Sequence, residues 1–497
     1  MNETEQHHVA DENVDTTLDN WREQLEKSSF NSQTADSDQD LAFNNCALEG
    51  TVLPFSDLYG PQSTNHERNI PSPNVACLND DQRRCYDIVD RHLQDTLDGK
   101  SPPQLLMFIP GEGGVGKSKV IRSMTENFEH REVGHWWVKG AYTGIAASLI
   151  DGKTLHVLAG IPVRGGRQSA HTLKKLRDFW RSKHYFIIDE VSMLSRKFFA
   201  TLSRIISTAM EKGNDNIFGG LNVILVGDFH QFPPVVASQS APLYWPANAG
   251  RDSEDDILGR KIFEQFLTVV QLKRQIRIRD MEWNDVLGHV RRGNCRQRHI
   301  DIIKKLIITN PACPPTDFSK APWKDARLIT PRHAVRAQWN SAAIKKYCAE
   351  SGRRLYIAPA EDLIDGRPVT NDEKIAIMTR KKGSKSLMDR GGLMKDIELA
   401  IGAPVMVTVN IQTDLDLANG VRGTVEGIVL DEREHVMSCK EEHIIHLRYP
   451  PRYILVKLDR TKAPILEGLP SNVIPIVPVK RTFTIERKGV KTTVNRI

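Results

Sequence analysis

At 497 residues the chain is long enough for two or three domains with separate cores. No apolar run reaches the roughly 18 to 20 residues of a membrane span, and the first thirty residues are acidic where a targeting peptide would be basic. A soluble intracellular protein without a membrane partner is therefore expected, nuclear in preference to mitochondrial. The net charge of +6 hides a split: residues 1–70 hold 3 Lys/Arg against 14 Asp/Glu, leaving 65 against 48 for the remainder. A basic body suits a phosphate backbone, although charge alone supports only non-specific attraction. The seven cysteines are scattered with no CxxC pair, so reduced thiols are expected and a zinc or redox site is not.

Residues 1–75 are rich in Asp, Glu, Asn, Gln, Ser and Thr and carry too little clustered apolar surface to offset chain entropy, so disorder is expected there. The patch Val52 to Tyr59 reads as a docking element or a linker. LNDDQRRCYDIVDRHLQ then places Leu78, Cys85, Ile88, Val89 and Leu93 at helical spacing, capped by Asn79 or Asp80. Gln82 at its front either reads an adenine edge or is simply solvated. Next comes LLMFIPGEGGVGKSKVI, which predicts a buried strand, a glycine loop and a helix start. In GEGGVGKS, the residues Gly111, Glu112, Gly113, Gly114, Val115 and Gly116 form a loop whose glycines let backbone N–H groups approach phosphate oxygens. Lys117 would reach the β and γ phosphates of a nucleotide, and Ser118 would ligate Mg2+.

WWVKGAYTGIAASLI predicts a second strand and a small-residue turn, followed by DGKTLHVLAGI as turn and helix. Loops at the carboxyl ends of parallel strands form ligand crevices, which places Thr143, Gly144, Thr154 and His156 near a ligand, with packing as the other reading of His156. HYFIIDEVSML predicts a buried strand ending in Asp189, assigned to the metal, and Glu190, assigned to the attacking water. LNVILVGDFHQFPPV repeats the design. There Gln231 is placed to sense the γ phosphate, and Phe229, Phe232, Pro233 and Pro234 either present an apolar face to a base or pack as core. Arg274 follows a strand-like LTVVQL, where a cation from a second domain could stabilise γ-phosphoryl charge. Arg277, Arg279, Arg291, Arg292, Arg296 and Arg298 follow at close spacing, most of them read as a solvated face and a few as phosphate contacts. RKKGSK, 380–385, predicts an exposed basic loop. From Thr424 onward, short alternating stretches predict a small β barrel.

In this order, LNDDQ, GEGGVGKS, YTGIAA, GKTLHVLAGI, IIDEVSM and VGDFHQFPPV resemble the Pif-one type DNA helicases of superfamily one. The match is close over Leu78 to Val236 and looser through VVQLKRQIR and LANGVRG. The resemblance implies an α/β P-loop NTPase with a RecA-like parallel-sheet domain, a second incomplete RecA-like domain and an SH3-like barrel. The implied boundaries are a disordered 1–75, a first RecA-like domain over 76–270, a partial second over 271–423 that opens with the strand ARLIT, and the barrel over 424–497. It also implies ATP and Mg2+ as cofactors, with Lys117, Asp189, Glu190, Gln231 and Arg274 catalytic and Gln82 with Gly111 to Ser118 binding the nucleotide. Thr143, Gly144, Thr154, His156, Phe229, Pro234, Asn419, Gly420 and Arg422 fall to single-stranded DNA. A monomeric 5′ to 3′ helicase acting on single strands and duplex junctions, in repair, recombination or telomere maintenance, is the expected function. Two later family segments are missing before Ile497, so a shortened or transposon-derived copy that grips DNA without unwinding it is the alternative expectation.

Overall fold

The computed structural model describes residues 14–28, 75–161, 170–213, 216–234, 241–248, 250–321, 323, 326–379, 395–408, 411–412, 415–434, 443–487 and 490–497. The patch at 52–59 and the basic loop at 380–385 lie outside them. Two compact units are formed, Gln62–Gly160 with Arg167–Ile329, and Met1–Pro61 with Ile161–Gly166 and Thr330–Ile497.

The first unit is built on one six-stranded sheet. Its strands are β1 (Leu106–Pro110), β2 (Trp137–Ala141), β3 (Lys153–Thr154), β4 (Tyr185–Asp189), β5 (Asn222–Gly227) and β6 (Thr268–Val269), in the order β3-β2-β4-β5-β1-β6. Every pairing is parallel. The reason lies in the sequence: LMFI, YFII and VILV are continuous apolar runs, which suit strands covered on both faces rather than one. All five residues of β4 are buried. Because parallel strands need crossovers, helices must flank the sheet. Helix α1 (Asp80–Leu97) starts on a capping box in which Asn79 and Gln82 exchange side-chain and backbone bonds, and it buries Cys85, Val89 and Leu93. Helix α2 (Lys117–His130) buries Val120, Ile121, Met124 and Phe128 against the same core. The parallel register brings the carboxyl ends of β1, β4 and β5 to one edge, so the residues after Pro110, Ile188 and Val226 share a crevice.

The second unit holds three small sheets. Four antiparallel strands run in the order Pro404–Met406, Arg422–Val429, Tyr453–Leu458, Val473–Ile476. Leu355–Pro359 pairs antiparallel with Asp396–Leu399 and parallel with Ile444–His446. A third sheet joins Arg481–Arg487, Val490–Arg496, Asp362–Ile364 and Arg367–Pro368.

Four expectations change. Val14–Ser28 is helical, not disordered, because Leu18, Trp21 and Leu25 find a core in the second unit. Residues 271–329 belong with the phosphate-loop unit, since Leu272 N donates to Pro110 O at 2.9 Å and continues the β1 edge. ARLIT forms no strand, and Ile329 is 96% exposed. A boundary after 423 would cut the strand Arg422–Val429, whose Gly423 and Thr424 both pair with Tyr453–Leu458. In place of the parallel strands of a second RecA-like domain over 271–423, the described residues hold short, mainly antiparallel strands. Their apolar runs are too short and too punctuated to be covered on both faces. The five described cysteines are free, and among the described residues no helix is long and apolar enough to cross a membrane.

Candidate active site

The loop Gly111 to Gly116 is held open by its carbonyls. Lys117 Nζ donates to Gly111 O at 2.8 Å and Glu112 O at 3.1 Å. Gln275 Nε2 donates to Gly113 O at 2.9 Å, and the backbone N–H groups of Ile276 and Arg277 reach Gly114 O at 3.0 and 3.2 Å. From the other side, Gln82 Nε2 donates to Val115 O at 2.9 Å. Five successive carbonyls are thus tied to protein donors; Val115 N–H is taken by Glu112 O at 3.5 Å, and the N–H groups of Gly113, Gly114 and Gly116 are available to form a concave anion nest. Gly114 and Gly116 adopt φ of +97° and +86°, which L side chains rarely tolerate. At Gly114 a Cβ would lie 2.2 Å from Gln275 Oε1 and 2.7 Å from Arg277 Cβ, so that position also lacks space. Gly116 caps α2 with no side-chain bond, leaving the first helical N–H groups, including that of the exposed Ser118, to an anion.

Asp189 ends β4 with 7% exposure, and burial pushes its carboxyl up to about 6, against the hydrogen bond from Glu190 N at 2.9 Å. Glu190 sits at φ +54°, ψ +45°, a strained conformation for a non-glycine residue. Burial lowers the pKa of Lys117, while Asp189, Glu190 and Asp228 work to raise it, so the three acids face one amine. Arg277 is close enough for its charge to act on Lys117 as well.

Asp228 follows β5 and is 3% exposed. Burial alone would raise its carboxyl, but the bond and charge of Arg291, the bond from His230 N and the charge of Lys117 together hold it below the usual range. Arg291, the last residue of α3 (Met281–Arg291), donates Nη1 to Asp228 Oδ2 at 2.8 Å and Nη2 to Oδ1 at 2.5 Å. Its Nε also lies 3.2 Å from Glu112 Oε1, so one guanidinium joins the phosphate loop to the end of β5. Gln231 Nε2 is 3.4 Å from Asp228 Oδ2, and a Cβ at Gly113 would be 3.4 Å from the same nitrogen. Gln231 therefore flanks the loop.

The structure brings Lys117, Asp189, Glu190 and Gln231 together as the sequence led us to expect, and adds Asp228, to which the sequence reading gave no role. Gln82 is placed differently: it is 1% exposed, its Oε1 accepts from Asn79 N and its Nε2 serves Val115 O, so its amide braces the loop. Arg274 is exposed and lies in the same unit as the loop, not in a second domain. Gln275 and Arg291 were missed as site residues. The doublet Arg291–Arg292 offered no sequence signal to choose between them, since only the folded helix aims one at Asp228.

Most of the residues assigned to DNA are occupied by local structure. Thr143 caps the helix Gly144–Leu149 by accepting from Ala146 N at 3.3 Å, which buries Gly144. Thr154 is buried. His156 packs between Tyr142 and Phe198, with ring centroids at 5.3 and 4.9 Å, and burial lowers its pKa, so packing is the reading that fits. Phe229 stands among Phe108, Tyr244 and Phe263, and Pro234 is buried; it is Phe232, 80% exposed, that offers a face. Asn419, Gly420 and Arg422 lie in the second unit, in the turn that leads into Arg422–Val429. Gly420 has φ +95° there and donates its N–H to Val407 O at 2.7 Å.

A parallel sheet whose first strand opens into a lysine-bearing glycine nest, with carboxylates ending two neighbouring strands, defines a P-loop nucleoside triphosphatase. Residues 77–297 match the family described as PIF1-like helicase. The ATP-dependent DNA helicase PIF1 of Xenopus laevis is 28% identical over 333 residues, 64% of this chain and 44% of that protein. The ATP-dependent DNA helicase RRM3 of Saccharomyces cerevisiae is 25% identical over 398 residues, covering 78% and 49%. The crystal structure of Pif1 helicase from Candida albicans is similar at 22% identity and TM-score 0.46, covering 84% of this chain and 82% of that one. The matches thus span under half the length of these two curated relatives.

Proposed function

We propose that this protein hydrolyses ATP and uses the energy to move 5′ to 3′ along single-stranded DNA and unwind duplex. The observation that carries the reading is the convergence of Lys117, Asp189, Glu190, Asp228 and Gln231 around one glycine nest within the stretch that matches the PIF1-like helicase family. The residues fit a magnesium nucleotide. Ser118 offers a hydroxyl, and Asp189 a buried carboxylate whose pKa burial raises. These two side chains would hold Mg2+, which supplies charge neutralisation at the β and γ phosphates. Lys117 binds the same oxygens; its present carbonyl partners, Gly111 and Glu112, keep the amine in the nest. Glu190 orients the attacking water and accepts its proton. Gln231 senses the γ phosphate, and its contact with Asp228 passes that state to Arg291 and α3.

Strand displacement tests the reading. The full chain with ATP should unwind a duplex carrying a 5′ single-stranded tail and leave a 3′-tailed duplex intact. ATP-independent binding of both substrates without displacement would instead favour a DNA-gripping module.

A further inference from the structure

The N-terminal helix Val14–Ser28 lies within an acidic stretch that has no core of its own, yet it buries one face almost completely. Leu18, Trp21 and Leu25, at i, i+3 and i+7, are 7%, 6% and 2% exposed. They enter one cluster with Leu415, Leu417, Val421, Tyr453 and Leu466 of the second unit. The Trp21 ring meets Tyr453 edge to face at 5.8 Å.

Polar contacts make the seat specific. Trp21 Nε1 donates to Glu467 O at 2.7 Å, Glu467 N donates to Gln24 Oε1 at 3.0 Å, and Asn20 Nδ2 donates to Glu467 Oε2 at 2.7 Å. Both backbone groups of Glu467, in the loop between Tyr453–Leu458 and Val473–Ile476, are therefore satisfied by the helix. Gln412 Nε2 closes the other end on Leu25 O at 3.2 Å. An apolar face with matched backbone partners at two loops is a recognition surface of the helix-in-groove kind.

The seat lies behind the turn Leu417–Gly423. Leu417, Ala418 and Val421 enter the shared cluster, while Asn419 and Arg422 between and after them are exposed. We propose that Val14–Ser28 is an intramolecular ligand of the second unit that sets this turn from behind, so that helix docking is coupled to how Asn419 and Arg422 are presented to DNA. The last clause rests on the proposed function; the docking does not. Residues 29–74 tether the helix, which raises its effective concentration at the seat and lets it dock in cis after release.

The test uses the full chain carrying Leu18→Asp, Trp21→Ala and Leu25→Asp, with hydrogen–deuterium exchange, single-strand affinity and DNA-free ATPase as readouts. Exchange at 417–423 and 453–458 should accelerate about ten-fold, and single-strand affinity should fall about five-fold. DNA-free ATPase should hold, because no residue of the nucleotide site is altered. A peptide of residues 14–28 added to this variant should restore protection. A milder pair, Asn20→Ala with Gln24→Ala, should accelerate exchange at 466–469 while leaving the apolar face intact. Unchanged exchange at both segments in the triple variant overturns the docking. Lost protection with unchanged single-strand affinity supports the docking and overturns its coupling to DNA.

Discussion

The two units solve the problem of holding a functional loop in different ways. In the first, the phosphate loop hangs from the buried central strand β1 and is braced on three sides, by Gln82 of α1, by Gln275 to Arg277 beyond β6, and by Arg291 of α3. In the second, the turn Leu417–Gly423 sits on a small antiparallel sheet and takes part of its backing from a helix nearly 400 residues away in sequence. A covered parallel sheet supplies enough rigid surface to hold a site from within its own unit. A small sheet with one open face needs a further element to cover it.

That contrast can be broken most forcefully at the aromatic residues after β5. Phe229→Ala should cost about 2–3 kcal/mol of stability, less than a fully buried aromatic because Phe229 is half-buried, measured as a shift in denaturant midpoint. Phe232→Ala should leave stability unchanged and weaken single-strand binding by about 1–3 kcal/mol. The reverse pattern would return Phe229 to the DNA face. Arg291→Ala strands a buried carboxylate at Asp228 and should cost about 2–3 kcal/mol. It should also lower kcat for ATP more than it raises KM, whereas a merely structural arginine would lower only stability. Arg291→Lys, which keeps charge but not the bidentate fork, should recover part of each loss.

Legibility follows the same division. The phosphate loop, the acidic end of β4 and Gln231 could be read because each is a short motif attached to an apolar run of strand length. The parallel direction of the strands could follow from their continuous apolar runs; their order, β3-β2-β4-β5-β1-β6, could not. Gln275 and Arg291 could not, since their roles depend on where a loop and a helix end come to rest. Thr143 was read as a ligand contact, and His156 as a contact or a packing residue, because small residues after a strand suit either a cap or a crevice; the bond to Ala146 N and the rings of Tyr142 and Phe198 show the local structure each serves. Leu18, Trp21 and Leu25 have helical spacing, but in a stretch so acidic that their partners, all beyond residue 400, left no local signal.

Two smaller effects sharpen the picture of the first unit. Gly114→Ala, at positive φ and against Gln275, should destabilise by about 1–2 kcal/mol and weaken nucleotide binding, seen by fluorescent-nucleotide titration. The pH dependence carries the smallest signal. The Asp189 carboxyl is raised to about 6 from 3.8, so the folded protein takes up a proton before an unfolded chain would. This group therefore adds stability as pH falls from about 6 toward about 4, and that increment is lost as pH rises through about 6. Magnesium-nucleotide binding runs the other way: it needs the carboxylate and should weaken as pH drops through the same window. Asp189→Asn should abolish that limb of the titration.

Steady-state ATP turnover by the full chain with and without single-stranded DNA tests most directly whether the glycine nest powers work on DNA. Turnover should rise on adding the strand and fall by about 100-fold or more in Lys117→Ala, because the amine that neutralises phosphate charge is gone. Turnover indifferent to DNA, or unchanged in Lys117→Ala, would contradict that role for the nest.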